Sequence, residues 1–419
     1  MAALYAKGPR ATLAPAVPAA TQTERIIATT EAVSARNYAP LPVVIERGQG
    51  VWVWDVEGNR YLDCISAYSA LNHGHCHPRI VAALKAQAER LTLTSRAVHN
   101  DRMGAFLGAL CAISGMDEAL PMNTGVEAVE TAIKLARKWG YRRKKVAANR
   151  AEVIVCRNNF HGRTITVVGF SSEPQYREAF GPYGPGFSMI DFGDAGELEA
   201  SITPATVAFL TEPIQAEAGV LMPPDGFLHR ARHICKAHDV LFMLDEIQTG
   251  LGRTGRLFAH QHEADAAPDV LILGKALGGG VYPVSAVVAR QGILDVFEPG
   301  DHGSTFGGNP LGAAVAEAAL AVTLDEKLSE RAARLGEKLL RALAALESRR
   351  IVAVRGRGLL IGIEVAPQAG PARELALRLL KLGVLAKDTR SGVLRLAPPL
   401  IIDDAEIDWL IERLAAVLG

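Results

Sequence analysis

The sequence predicts an α/β fold, with a large domain built on a mostly parallel sheet and a smaller α+β domain. Short apolar runs at 153–156, 207–210, 240–244 and 270–273 show no polar alternation, and each leads into a polar loop or a glycine. Such runs are typical of strands that are buried on both faces of a parallel sheet. After residue 310 the composition changes to amphipathic helices around short strands, which indicates the α+β domain.

Local signals place the other elements along the chain. Residues 43–63 hold two extended runs separated by Gly58-Asn59, which predicts a β-hairpin or meander. Apolar residues at the helical period and capping signals predict helices at 78–91, 124–139, 226–238, 311–324, 328–347, 371–382 and 404–418. Strands of the smaller domain are predicted at 358–364 and 392–396.

Composition narrows the class of protein. The chain has 419 residues, 49% of them hydrophobic, and a formal net charge of zero. This length supports two or three domains, and the balanced charge gives no electrostatic footprint for nucleic acid. No apolar run approaches a membrane span. The five cysteines are scattered without a CxxC motif, so we expect a reducing compartment, the cytoplasm.

The first 23 residues form a distinct segment. They are rich in Ala, Pro and Thr, and no acidic residue precedes Glu24. We expect a disordered arm. An organelle transit peptide is the alternative, but Pro15 and Pro18 would interrupt its amphipathic helix.

A cluster of histidines at 73–77 raises the question of a metal site. His73, His75, Cys76 and His77 lie close together, but three of them are consecutive and cannot easily converge on one ion. Structural zinc sites use spaced ligand pairs, and no second cluster has such spacing. We therefore predict no metal here, and a loop that opens a helix at Pro78.

A phosphate site is predicted at the start of the helix over 124–139. Asn123 or Thr124 can cap this helix, and Gly125 and Val126 then occupy its first turn. The free N–H groups of a helix N-terminus and its positive dipole end favour an anion. Many helices begin with Thr-Gly, so this signal is weak by itself.

Residues that could bind a ligand or take part in catalysis follow two of the predicted strands. Phe160 could stack on a flat ring and Arg163 could bind a carboxylate, although ordinary loop packing is the alternative for both. Asp245 ends an apolar run, and a buried carboxylate is costly unless a cation meets it. A protonated ring nitrogen would be such a cation.

Lys275 follows the apolar run 270–273 and Gly274, and precedes small residues and glycines. Open α/β sheets bind ligands at the carboxyl ends of their strands. An amine there loses solvation, which favours the neutral, nucleophilic form that condenses with carbonyl groups. The alternative is a lysine that reaches the surface or pairs with a carboxylate.

Two glycine motifs are misleading. Gly250–Gly255 matches GxGxxG, but no convincing helix follows it, and acidic residues stand where a dinucleotide motif needs room for pyrophosphate. Gly274-Lys275-Ala276 lacks the Ser or Thr of a nucleotide P-loop. A lysine, a strand-end acid, a phosphate turn and a stacking aromatic instead form the set that pyridoxal phosphate needs.

Asp245-Glu246-Ile247-Gln248-Thr249-Gly250, followed by Arg253-Thr254-Gly255 and Gly274-Lys275-Ala276-Leu277, resembles the signature of the class III aminotransferases. Motifs at 37–38, 66–70, 74–78, 121–128 and 395–400 extend the resemblance over roughly residues 36–419, and they are similar to those of family members that act on ornithine. Two positions depart from the pattern, since His161 stands where the family often has tryptophan and Val129 where glycine is common.

The resemblance implies the type I pyridoxal-phosphate transferase fold, whose large domain has a mostly parallel seven-stranded sheet and whose small domain draws on both chain ends. It divides the chain into the arm (1–23), an N-terminal segment that joins the small domain (24–65), the cofactor-binding domain (66–310), and an interdomain helix with the C-terminal small domain (311–419). It also implies a homodimer or higher homo-oligomer with shared active sites.

The resemblance further implies roles for individual residues. Lys275 would hold the cofactor and move the proton, and Asp245 would pair with the ring nitrogen. The other cofactor-binding residues would be Gly125, Val126, Phe160, Gln248, Ser304 and, from the neighbouring subunit, Thr305. The substrate-binding residues would be Tyr38, Tyr68, Arg163, Glu217 and Arg395, with Glu217 and Arg395 forming a salt bridge that opens for the second substrate.

The implied reaction transfers the δ-amino group of L-ornithine to 2-oxoglutarate and yields glutamate 5-semialdehyde, which cyclises to pyrroline-5-carboxylate, and glutamate. Within the family, the alternatives are ω-aminotransferases for acetylornithine, 4-aminobutyrate or lysine. On the same fold, a decarboxylase or aminomutase is a further alternative. Outside catalysis, a nucleotide-binding regulator that uses Gly250–Gly255 is the competing hypothesis.

Overall fold

The computed structural model describes residues 21–389 and 392–419. Most of the arm expected at 1–23 therefore lies outside the described residues. Its last residues, Gln22 and Thr23, begin a helix, and Thr21 Oγ1 caps that helix by accepting a hydrogen bond from Glu24 N at 3.1 Å.

The helices are α1 (Gln22–Glu31), α2 (Ser66–Ser69), α3 (Pro78–Ala88), α4 (Met103–Ser114), α5 (Gly125–Trp139), α6 (Ile165–Gly169), α7 (Pro174–Arg177), α8 (Ala195–Ser201), α9 (Phe227–Ala237), α10 (Pro310–Asp325), α11 (Leu328–Ala344), α12 (Ala372–Lys381) and α13 (Asp404–Leu418). The strands are β1 (Ile45–Gln49), β2 (Trp52–Asp55), β3 (Arg60–Asp63), β4 (Glu118–Met122), β5 (Glu152–Cys156), β6 (Phe187–Ile190), β7 (Thr206–Thr211), β8 (Leu241–Asp245), β9 (Val270–Leu273), β10 (Ser285–Ala289), β11 (Ile351–Arg357), β12 (Leu360–Val365), β13 (Val384–Leu385), β14 (Lys387–Asp388) and β15 (Val393–Leu396).

A seven-stranded sheet forms the centre of the large domain, in the order β4-β10-β9-β8-β7-β5-β6. Within it β10 runs antiparallel to both of its neighbours, and β9, β8, β7, β5 and β6 are mutually parallel. The expected α/β class and the mostly parallel seven-stranded sheet are confirmed.

The strands lack polar alternation because helices cover both faces of this sheet. In β5, Val153 and Val155 pack into the core on the side of α5, whereas Ile154 and Cys156 pack into the core that α4 and α9 share. Both faces of the strand are therefore apolar.

Two smaller sheets lie outside the large sheet, and the first of them joins the two ends of the chain. The first has the order β1-β2-β3-β13, so the predicted N-terminal meander pairs with a strand from the C-terminal part. The second has the order β11-β12-β15-β14. Helices α11, α12 and α13 bury their apolar faces in one core with these sheets, as the predicted α+β domain requires.

The histidines at 73–77 contact different partners. His73 Nε2 lies 2.8 Å from Thr323 Oγ1, His75 Nε2 lies 2.8 Å from Asp63 Oδ2, and His77 Nε2 lies 3.0 Å from Glu326 Oε1. Within residues 21–389 and 392–419, no group of three His, Cys, Asp or Glu side chains is placed to hold a metal. Over the same residues, no helix is long and apolar enough to cross a membrane.

Candidate active site

A cavity of about 180 Å³ lies at the carboxyl edge of the large sheet. Strands β5, β7, β8 and β9 are parallel, so their carboxyl ends meet at this edge, where open α/β sheets bind ligands. The predicted site residues that line the cavity are Gly125, Val126, Phe160, Asp245, Gln248 and Lys275.

Lys275 lies directly after β9 and Gly274, where the backbone turns sharply. Its φ of 44° is in the left-handed region, which a non-glycine residue adopts only when the surrounding structure enforces it. No hydrogen bond or ion pair of Lys275 Nζ is found among the described residues. Burial lowers the pKa of Lys275, although the nearby Glu217 carboxylate opposes part of that shift. A neutral amine is therefore favoured relative to an exposed lysine.

Asp245 ends β8 and is only 5% exposed. Its Oδ1 accepts a hydrogen bond from Ile247 N at 3.0 Å, and its Oδ2 lies 2.7 Å from His161 Nδ1. Burial alone would lower the pKa of His161, but the hydrogen bond and the charge of Asp245 raise it. His161, the residue that departs from the family pattern, therefore holds the carboxylate in a fixed orientation.

Glu212 is a site residue that the sequence analysis did not single out. It follows β7, lines the cavity and accepts a hydrogen bond from Phe160 N at 3.0 Å. Burial raises the pKa of Glu212 to about 8, and the negative charge of Asp245 also raises it. The available signal was the same as for Asp245, namely an acid at the end of an apolar strand.

The raised pKa of Glu212 predicts a pH-dependent cost to stability. Between about pH 4.5 and about pH 8, the unfolded carboxyl is ionised whereas the folded carboxyl keeps its proton, so the native state loses stability as the pH rises. We expect the thermal stability of Glu212→Gln, relative to that of the unchanged protein, to increase as the pH is raised from about 5 to about 8. Thermal unfolding of the variant and the unchanged protein at about pH 5 and about pH 8 measures this increase. A difference in stability that is the same at both pH values would contradict the prediction.

The other end of the cavity is the N-terminus of α5. Thr124 and Glu127 form a reciprocal capping box, in which Thr124 N donates to Glu127 Oε2 at 2.7 Å. The N–H groups of Gly125 and Val126 have no hydrogen-bond acceptor among the described residues. A Cβ atom at position 125 would lie 3.0 Å from Ile247 Cδ1, so glycine keeps this end of the cavity open. The predicted anion site is therefore sterically accessible.

A chain of polar contacts extends from the cavity to the small domain. Gln248 Nε2 donates to Glu217 Oε1 at 3.2 Å, and Arg395 Nη1 donates to the same oxygen at 2.6 Å. The Arg395 guanidinium also lies 5.5 Å from the Tyr68 ring centroid. Burial would raise the pKa of Glu217, but the charges of Arg395 and Lys275 and the hydrogen bonds from Arg395 and Gln248 together outweigh burial and lower the pKa to about 2. The Glu217–Arg395 pair is therefore ionised at neutral pH.

Seven predicted site residues do not line the cavity of the single chain. Three of them, Tyr68, Glu217 and Arg395, belong to the polar contacts just described, and the other four are Tyr38, Arg163, Ser304 and Thr305. Tyr38 is 67% exposed, and Arg163 is exposed and lies 4.1 Å from the Tyr176 ring centroid. Burial raises the pKa of Tyr68, Tyr38 raises it further, and the charge of Arg163 lowers it. Thr305 is exposed, and the neighbouring Ser304 Oγ accepts a hydrogen bond from Asn123 Nδ2 at 2.9 Å.

The cavity fits pyridoxal phosphate on the evidence of its own side chains. Gln248 Oε1 is buried without a hydrogen-bond partner among the described residues, as is suitable for an amide that faces a ring hydroxyl. The free N–H groups at Gly125 and Val126 suit a phosphate, and the buried amine of Lys275 suits an aldehyde. Asp245 suits a protonated ring nitrogen.

The chain belongs to the class III aminotransferases, because the model of that family matches residues 33–418. Enzymes of this family depend on pyridoxal phosphate, and the protein is accordingly a pyridoxal-phosphate-dependent aminotransferase.

Individual relatives agree with this assignment. The ornithine aminotransferase of Bordetella pertussis is 53% identical over 402 residues, which cover 96% of this chain and 97% of the relative. The solved structure of the ornithine aminotransferase from Toxoplasma gondii, which has partial occupancy of pyridoxal phosphate at its active site, is 46% identical, with a TM-score of 0.93 and 94% of each chain covered. The acetylornithine aminotransferase from Elizabethkingia anophelis is 47% identical, with a TM-score of 0.86 over 94% of this chain and 98% of that one.

Proposed function

We propose that the protein transfers the δ-amino group of L-ornithine to 2-oxoglutarate, which yields glutamate and glutamate 5-semialdehyde, the precursor of pyrroline-5-carboxylate. The observation that carries this proposal is the Glu217–Arg395 ion pair, with 2.6 Å between Oε1 and Nη1, which adjoins the cavity through Gln248. Such a pair lets one pocket accept both a substrate with no distal carboxylate and a dicarboxylate. The similarity to ornithine aminotransferases supports the choice of substrate.

Pyridoxal phosphate, when bound, supplies an aldehyde for the amino group and a ring that withdraws electrons from the reacting carbon. Lys275 Nζ would act as the base that takes the proton from the carbon carrying the transferred amino group, and would hold that proton for its return. The Asp245 carboxylate, oriented by His161, keeps the ring nitrogen protonated. Gln248 would hydrogen-bond the ring hydroxyl and Phe160 would stack on the ring, since both side chains line the cavity.

The phosphate is held by the N–H groups of Gly125 and Val126. We also propose that Thr305 of the partner subunit, with Ser304 beside it, completes this phosphate site. The exposure of Thr305 in the single chain is compatible with such a contact.

The protein would accordingly act as a homodimer or higher homo-oligomer, and we propose that it is cytoplasmic. We propose that residues 66–310 form the cofactor-binding domain, and that residues 24–65 and 311–419 form the smaller domain and its connecting helix.

We propose the substrate orientation that the resemblance to the family implies. Arg163 binds the α-carboxylate of ornithine and Tyr38 its α-amino group, with Tyr68 lining the pocket, so the δ-amine is presented to the cofactor. Glu217 and Arg395 stay paired during this half-reaction. In the second half-reaction the pair opens, and Arg395 binds the carboxylate of 2-oxoglutarate.

Acetylornithine is the second candidate amino donor, because a solved acetylornithine aminotransferase is 47% identical to this chain. A panel of ornithine, acetylornithine, 4-aminobutyrate and lysine, each with 2-oxoglutarate as acceptor, tests the proposal. We expect the highest kcat/KM for ornithine. A higher value for any of the other three donors would refute ornithine as the substrate.

The Glu217–Arg395 pair predicts a specificity change. Glu217→Ala leaves Arg395, which is only 3% exposed, without its carboxylate partner. A buried arginine without a counterion strongly favours a substrate carboxylate, so we expect the kcat/KM ratio of glutamate to ornithine to rise by about tenfold or more. Steady-state kinetics with both donors measure this ratio.

The matched control is Glu364→Ala, which breaks the ion pair between Arg355 and Glu364 outside the cavity. This control should leave the ratio unchanged. A Glu217→Ala variant with an unaltered ratio would show that the pair does not govern substrate choice.

A further inference from the structure

The GxGxxG-like segment Gly250–Gly255 lies between the two domains and does not form a nucleotide site. It follows β8 in a series of turns, and the next α-helix after β8 is α10, which begins at Pro310. Its arginine, Arg253, is completely buried and is the largest of the fully buried side chains among the described residues.

Arg253 donates hydrogen bonds to three separate segments. Nη1 donates to Leu359 O at 2.9 Å and to Pro398 O at 2.6 Å, and Nη2 donates to Asn72 Oδ1 at 2.6 Å. The acceptors are two backbone carbonyls and an amide, and no carboxylate lies within ion-pair distance of Arg253 in the described part of the chain. The guanidinium is therefore hydrogen-bonded to oriented neutral groups, while the Asp63 carboxylate stabilises its charge from beyond ion-pair distance.

This arrangement is costly for a residue that serves only to fill space. Burial lowers the pKa of Arg253 to about 9, which still leaves the guanidinium charged at neutral pH. Replacing buried charges by apolar side chains of similar volume is often neutral or stabilising, so packing alone does not call for an arginine. The planar fork of donors, by contrast, fixes the directions of several acceptors at once.

Two of the three segments carry proposed substrate-binding side chains. Asn72 follows Tyr68 near the start of the cofactor-binding domain, and Pro398 follows Arg395 just beyond the end of β15. Further bonds join the same segments, because Asn72 Nδ2 donates to Leu251 O at 2.9 Å and Leu400 N donates to Asn72 O at 2.8 Å. A movement of Arg253 would therefore be transmitted to both segments.

We propose that Arg253 is a positioning residue that fixes Arg395 and Tyr68 relative to the cavity, and thereby sets the affinity for the dicarboxylic oxo acid that accepts the amino group. This inference rests on the proposed function in one respect, that Arg395 receives a carboxylate of the oxo acid. Arg253 itself does not line the cavity. Its effect is exerted through the backbone at Pro398 and the side chain of Asn72.

Arg253→Lys in the cofactor-loaded protein tests the proposal, because lysine keeps the charge but cannot reproduce the fork. We expect the KM for 2-oxoglutarate to rise about tenfold or more, while the KM for ornithine and the absorption spectrum of the cofactor change little. If Arg253 only stabilised the fold, its replacement would change the KM values for both substrates to the same extent. Equal changes in the two KM values, or no change in either, would overturn the proposal.

Arg331→Lys is the matched control. Arg331 Nη1 also donates to a backbone carbonyl of the C-terminal domain, Ile401 O at 2.7 Å, but Arg331 is bonded to none of the three acceptors of Arg253. Both KM values should stay unchanged in this variant, and a comparable rise in the KM for 2-oxoglutarate would overturn the special role of Arg253.

If Arg253→Lys does not fold, Asn72→Ser tests the proposal instead. This variant removes the side-chain acceptor Asn72 Oδ1 and leaves the Arg253 guanidinium bonded to the carbonyls of Leu359 and Pro398. A selective rise in the KM for 2-oxoglutarate would support the proposal, and unchanged kinetics would overturn it. The test is separable from that of the amino donor. If the unchanged protein does not use ornithine, the proposed function fails, but the KM for 2-oxoglutarate can be compared with whichever donor the protein accepts.

Discussion

Replacing Lys275 by alanine is expected to slow transamination by roughly 10²–10⁴-fold, the usual contribution of a positioned proton donor and acceptor. The variant loses the buried amine that adjoins the cavity, whose pKa is lowered by burial. It also loses the amine that we propose holds the cofactor covalently, so the absorption band of the bound cofactor should shift. Single-turnover kinetics with ornithine and the absorption spectrum measure both effects.

Lys144, a half-buried lysine outside the cavity, serves as the control that distinguishes an effect on catalysis from an effect on stability. Lys144 Nζ donates to the carbonyls of Thr206, His238 and Asp239 at 2.8, 2.9 and 2.7 Å, away from the cavity. Lys144→Ala should lower the thermal stability but leave the cofactor band unchanged. Turnover of the Lys275→Ala variant at the normal rate would remove Lys275 from its proposed role.

Asp245→Asn should have the next largest effect. Asparagine has nearly the same shape and can still accept from Ile247 N, but it has no charge to keep a ring nitrogen protonated. Removing one partner of a buried charge pair costs about 3–5 kcal/mol, which corresponds to roughly 10²–10⁴-fold in rate if all of it is lost in the transition state. Measurements of kcat and of cofactor affinity test this expectation.

The control for Asp245→Asn is Asp269→Asn, which removes the charge of another partly buried aspartate in the large domain. Asp269 pairs with Arg232 at 2.6 Å and does not line the cavity. This variant should be less stable but catalytically normal once folded. If Asp245→Asn retained both turnover and cofactor affinity, the proposed pairing with the ring nitrogen would be wrong.

Burial on two faces explains which parts of the fold were predictable. Strands β5, β7, β8 and β9 are continuous apolar runs, because helices cover both faces of the central sheet. The sequence analysis did not predict β4, β6 and β10. Pro121 lies inside β4, and this is possible because β4 is an edge strand that pairs only with β10. The order of the strands has no local signal, and the seven-stranded sheet was expected from the family resemblance alone.

The site was predictable where a side chain follows the end of an element. Gly125, Asp245 and Lys275 meet in one cavity for this reason. The bond between His161 and Asp245 and the carboxyl of Glu212 depend on side-chain directions that only the folded chain defines. Arg253 belongs to a glycine motif that suggests a nucleotide, whereas its donors reach distant backbone carbonyls.

Covalent attachment of the cofactor to Lys275 is the central claim, and chemical trapping tests it most directly. Reduction of the cofactor-loaded protein with borohydride, followed by proteolysis and mass spectrometry, identifies the amine that holds pyridoxal phosphate. We predict one labelled peptide, with the label on Lys275. A label on another lysine, or none, would contradict the account.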